Sequence, residues 1–156
     1  MTTKAALVNI SEAVRTTLVA ATLSQSFTPV RSWFPVKKLE DYGSSVYVFI
    51  YPDNVSSVAI QDRDGNKKQF EVIVTVGKKI TAEAEIDNDD VDPLILLIEE
   101  IDTLFFHAKL KNTDGDLVAF CDGSKFETVA NIEALGKDSR VFSAITFTFT
   151  DYQEQI

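Results

Sequence analysis

Arg140-Val141-Phe142-Ser143-Ala144-Ile145-Thr146-Phe147-Thr148-Phe149-Thr150 alternates apolar and polar residues with period two. That pattern marks a strand with one buried face and one Ser/Thr face, and it anchors the reading of the fold. Before it, the turn cluster Asn112-Thr113-Asp114-Gly115-Asp116 precedes two short expected strands, Leu117 to Cys121 and Phe126 to Ile132. Earlier still, Asp92-Pro93 reads as a helix start: Asp accepts from free backbone amides, and Pro at the first helical position loses no needed donor. The helix is expected to run to about Lys109, with Leu94, Leu97, Ile98, Ile101, Leu104, Phe105 and Ala108 on one apolar face that covers the sheet.

The N-terminal half completes the pattern. Leu7, Ile10, Val14, Leu18 and Ala21 recur at helical spacing, which predicts a helix over about residues 4 to 23. Phe27 to Phe34 reads as a strand that Pro29 confines to an edge or to its own start. Val46 to Tyr51 is a strand stopped by Pro52-Asp53-Asn54. Val55 to Gln61 and Gln69 to Gly77 flank an Asp64-Gly65 turn as a hairpin, so the β region is expected to be antiparallel. The order is an N-terminal helix, a mainly antiparallel sheet, one long amphipathic helix packed on it, and C-terminal strands. The fold class is α+β, as one domain over residues 1–156.

Composition narrows the function. With 15 Lys and Arg against 24 Asp and Glu, the net charge of −9 opposes phosphate binding, which depends on basic residues releasing counterions. Nine of the carboxylates lie between Lys79 and Lys109 with no Lys or Arg among them, so one strongly negative face is expected. No apolar run reaches the roughly 20 residues of a membrane-spanning helix. Met1-Thr2-Thr3-Lys4 leads into an amphipathic pattern, so a secretory signal is not expected.

Little in the sequence carries chemistry. His107 is the only histidine and Cys121 the only cysteine, and neither sits in a local catalytic signature. Cys121 reads as a small buried hydrophobe. Asp62, Asp64 and Asn66 surround Gly65 as in a calcium loop, but the twelfth position, where a bidentate Glu belongs, is Ile73. Asp87-Asn88-Asp89-Asp90 reads as a solvated loop before a helix sooner than as a cation site. No metal, cofactor or catalytic residue is expected. Trp33 is read first as a core anchor and otherwise as an interface anchor. Ile95 and Phe106 fall off the apolar helix face and pack either under a loop or against a neighbouring chain. Lys67-Lys68, Lys78-Lys79 and Lys109-Lys111 read as solubilising charge at element ends, or as partners for a neighbour's acidic face.

The order of these elements resembles the tail terminator, or tail-completion, proteins of long-tailed bacteriophages. The resemblance is carried by the helix before Arg31-Ser32-Trp33-Phe34-Pro35, then Leu39-Glu40-Asp41, a strand ending in Tyr51-Pro52, and Asp62-Arg63 before an alternating strand. An acidic loop, a long helix and a last strand rich in Phe and Thr follow. It implies a non-enzymatic virion protein that forms a ring, commonly six-fold, on the tail tube, ending tube growth and meeting the head-side connector. The implied partners are copies of itself, the tail tube protein and the connector, with genomic DNA as a passing neighbour. The implied location is the tail end or neck of the virion, after assembly in the host cytoplasm. A closed ring needs two different complementary surfaces on each subunit. Trp33, Arg63, Asp89, Asp90 and Phe106 are the interface candidates, with Asp89 and Asp90 also candidates for the lumen. The rival readings are a head-to-tail connector subunit, a monomeric binding module, and a small-ligand or enzyme domain with a pocket between helix and sheet.

Overall fold

A computed structural model describes residues 5–33, 46–59, 66–81, 88–135 and 138–151. The elements, in chain order, are α1 (Ala6–Ala20), β1 (Pro29–Arg31), β2 (Tyr47–Ala59), β3 (Asn66–Thr81), α2 (Asn88–Phe105), β4 (Lys109–Lys111), β5 (Leu117–Leu135) and β6 (Asp138–Asp151). The six strands form one sheet in the order β1-β2-β3-β6-β5-β4. Both edge strands are three residues long. The α+β class and the mainly antiparallel sheet follow the sequence pattern.

The expected period-two strand is β6, at the middle of the sheet. Val141, Ile145, Phe147 and Phe149 are buried on one face, as the alternation requires, and Ser143 joins them. These residues share that face with Val72, Val74 and Val76 of β3 and with Val48 and Ile50 of β2, the face on which the helices pack. From α1 come Ile10, Val14 and Leu18, and from α2 Leu94, Leu97, Ile98, Ile101 and Phe105. The Phe105 ring lies 5.0 Å from that of Phe147, at the tilted geometry that aromatic pairs prefer. Helix α1 begins at Ala5 without a side-chain cap, so packing of its apolar stripe, not local capping, holds it helical. It touches both edge strands, β1 and β4, so the sheet curls round it.

Four expectations change. Pro52 does not stop β2. The Ser32 amide donates to the Ile50 carbonyl at 2.8 Å, so Ile50 faces β1 and Pro52, two residues on, faces the same way. The donor that Pro lacks would have pointed off the β3 ladder, and a bulge between Pro52 and Asn54 lets the strand run on to Ala59. The pair β1–β2 is parallel, not antiparallel. A parallel pair needs a crossover of about a dozen residues, which the chain from Ser32 to Val46 supplies in length. Helix α2 starts at Asn88 and carries Pro93 in its second turn, where the missing amide costs one helical hydrogen bond. The helix ends at Phe105, before the expected Lys109, because His107 turns left-handed with φ 52°. Lys109–Lys111 is therefore an edge strand, not the last turn of a helix. Finally, the two short strands are one continuous β5, kept in pairing with β6 by irregularities at Cys121/Gly123, Phe126/Thr128 and Thr128/Asn131.

The hairpin expected around Asp64-Gly65 is present as the antiparallel β2–β3 pair. Its tip, with Asp62, Arg63 and Asp64, lies outside the described residues, as does Asp87. The β4–β5 turn is built as its residues suggest. The Asn112 amide donates to the Asp116 carbonyl at 2.9 Å, the Gly115 amide donates to the Asn112 carbonyl at 3.0 Å, the Asp116 amide donates to Asn112 Oδ1 at 2.9 Å, and Gly115 takes φ 86°.

Candidate assembly interface

Two aromatic side chains stand exposed beside the two opposite edges of the strand order. Trp33 follows β1 and is 53% exposed, which corrects its first reading as a core anchor. The backbone before it is fixed: the Ser32 amide is held by Ile50, and Arg31 Nε donates to Glu12 of α1. Arg15 of the same helix donates to the Pro29 carbonyl at 3.3 Å. The indole thus projects from a strand tied to both its sheet neighbour and α1.

Phe106 stands near the other edge. The left-handed turn at His107 swings the chain out of α2 and into β4, leaving Phe106 69% exposed with its ring 4.2 Å from the imidazole. Beside it, between the end of α2 and β5, is a cleft of about 270 Å³. Buried Phe105, Phe147 and Cys121 form its floor, and exposed Phe106, His107, Gly123 and Ser124 its rim, with Asp102 and Asp122 also lining it. The Ser124 hydroxyl donates to Asp102, and the Thr150 hydroxyl donates to Asp122. The cleft opens where β4 ends its pairing: the Cys121 amide donates to Ala108 at 2.9 Å, and past that point no described strand lies on the outer side of β5.

The cleft brings His107 and Cys121 together, which spacing along the chain did not reveal. Burial, aided by the charges of Asp122 and Asp102, pushes the Cys121 thiol up to about 11, so it is protonated at neutral pH. An activated nucleophilic thiolate requires the opposite shift. Among the described residues, no group of three or more His, Cys, Asp or Glu is placed to hold a metal ion. No described helix is long and apolar enough to cross a membrane.

The sequence candidates do not converge on one site. Asp89 is exposed in the first turn of α2, and the backbone of Asp90 lies in the same turn. An 18-residue helix rises roughly 27 Å, so this acidic end is far from Phe106. Trp33 is at the opposite sheet edge, and Arg63 lies outside the described residues. Ile95 is half-buried within α2. Sequence reading missed the cleft because its walls come from α2 and β5, and the signal that marks it, a glycine beside a lone cysteine on an interrupted strand, carries no period.

The described residues thus form two helices on one mixed and curled sheet, and neither a protein-family model nor a curated protein matches the chain. Among solved structures, the chain is similar to a chain of the virion of a native gene transfer agent particle. The match covers 95% of this chain and 99% of that one, with a TM-score of 0.49 and 11% sequence identity.

Proposed function

We propose that this chain is a structural virion subunit of the tail terminator kind, a single domain that assembles head to tail into a ring on the end of a phage tail tube. The observation that carries the reading is the pair of unlike apolar exposures: Trp33 beyond β1, and Phe106 with its cleft beside β4 and β5. Head-to-tail association needs two different surfaces on each subunit, and these stand at opposite ends of the strand order. The resemblance of the sequence to the terminator family supports the choice of tail tube and head-side connector as further partners. In this reading the activity is geometric, ending tube growth and presenting a surface to the connector. The acidic first turn of α2 suits a lumen through which DNA passes without sticking.

The test is tube length. Tail tube protein polymerised with the purified chain should give tubes capped at one end and limited in length, with rings visible on the caps. Tubes of unaltered length without caps would refute the terminator reading.

A further inference from the structure

We propose that Asp114, in the turn between β4 and β5, is a site of spontaneous covalent modification, its conversion to isoaspartate through a cyclic imide with Gly115. The fold directs this chemistry to Asp114 and away from Asp122. The inference stands apart from the ring reading.

The reaction needs an aspartyl side chain followed by an amide that can reach it, and glycine, with no Cβ, hinders that approach least. The sequence holds three Asp-Gly pairs, at 64–65, 114–115 and 122–123. The first lies outside the described residues. At the second, the Gly115 nitrogen gives up its proton and bonds to the side-chain carbonyl carbon of Asp114, and a carboxyl oxygen leaves as water. Water then reopens the five-membered ring. Attack at the side-chain carbonyl restores aspartate, whereas attack at the main-chain carbonyl leaves isoaspartate, with the chain routed through the side-chain carbons. Nothing is oxidised or reduced, and the water lost is regained.

Space does not separate the two described pairs, because a Cβ at Gly115 or at Gly123 would meet nothing within 4 Å. Hydrogen bonding does. The Asp122 carboxylate accepts from the Thr150 hydroxyl, and Gly123 pairs with Thr148 inside the β5–β6 ladder, with strand continuing on either side. Closing the ring there breaks the carboxylate's bond and twists a residue out of the sheet. Asp114 and Gly115 are instead exposed in a turn whose first strand, β4, is a three-residue edge. Among the described residues, no partner holds the Asp114 carboxylate. The Gly115 amide has the bond to the Asn112 carbonyl at 3.0 Å, and an exposed turn at a sheet edge opens at low cost.

The product loosens the edge. An extra main-chain carbon at 114 changes the spacing that the Asn112–Asp116 and Asn112–Gly115 bonds require. Strand β4 is paired with β5 only over Lys109–Lys111, so the turn is a large part of what holds it.

The purified chain is incubated for weeks at neutral pH, folded and in urea, then digested with an endoproteinase that cuts before aspartate and not before isoaspartate. The folded sample should lose the cut before Asp114, at unchanged mass, and keep the cut before Asp122. The urea sample should lose both. Labelling by an isoaspartyl methyltransferase should rise with the lost cut. Asp114→Glu, which closes a larger ring far more slowly, should abolish the labelling of the 112–125 segment in the folded chain and leave the urea midpoint unchanged. Asp114 intact in the folded sample when the urea sample has lost it overturns the inference. Equal loss at Asp122 in the folded sample also overturns it, since the fold then selects nothing. Neither result bears on the ring reading.

Discussion

Tyr47 lies directly opposite Gly77 across the β2–β3 ladder, and its ring occupies the space where a side chain at position 77 would stand. A Cβ there would overlap the ring's Cζ and Oη. The glycine is needed for this close approach and not for its φ. The ring in turn covers a strand position that would otherwise lack a cross-strand contact. Tyr47 continues against Phe49, with centroids 5.4 Å apart, as a small aromatic cluster on the face away from the helices.

Gly77→Ala is therefore expected to destabilise the fold by about 1–3 kcal/mol, the usual cost of overpacking. In a Tyr47→Ala background the same change should cost little or even help, because alanine is the better strand residue once the ring is gone. Urea unfolding of the four members of the cycle measures the coupling. Equal effects in both backgrounds would contradict the contact.

The tie between α1 and β1 is expected to matter less than the apolar stripe beneath it. Glu12 and Arg31 are about one-third and one-quarter exposed, so Arg31→Ala should cost about 0.5–1 kcal/mol and less at high salt. Ile10 is fully buried in the core, so Ile10→Ala should cost about 2–5 kcal/mol with no salt dependence. Denaturant midpoints at low and high salt distinguish the two.

Cys121 should react slowly with thiol reagents at neutral pH in the folded chain and quickly after unfolding. The sign of its pH effect follows from the raised pKa. The unfolded thiol ionises near 9.0 and the folded one near 11, so the folded state holds its proton longer. Stability from this group is full below pH 9 and falls as the pH rises towards 11. Cys121→Ala should flatten that alkaline fall, measured as urea midpoints across the range.

His107→Gly should be neutral or stabilising by up to about 1 kcal/mol, because a left-handed residue with a Cβ carries a strain that glycine does not. His107→Val should destabilise, since a β-branched residue tolerates that conformation least. Thermal melts of both variants give the comparison.

Much of this fold is legible in the sequence because period carries it. The alternation from Val141 to Thr150 locates β6, and the spacing of Leu94, Leu97, Ile98, Ile101 and Phe105 locates the buried face of α2. What period does not carry is where elements stop. Pro52 reads as a break because its missing donor is costly inside a ladder, yet here it points off the β3 ladder. Asp122-Gly123-Ser124 reads as a gap between strands, yet a bulge absorbs it. The proposed interface is half legible. Phe106 is off the helix stripe and exposed, whereas the exposure of Trp33 depends on β1 being three residues long and at the edge, which only the sheet order decides.

The central claim, a chain built for head-to-tail assembly, is tested most directly by light scattering of the purified protein over a wide concentration range, with and without tail tubes. The account predicts growth from the 17.3 kDa chain to a closed species of fixed multiple, alone or on the tube end, and no larger series beyond it. A strict monomer under both conditions would contradict it.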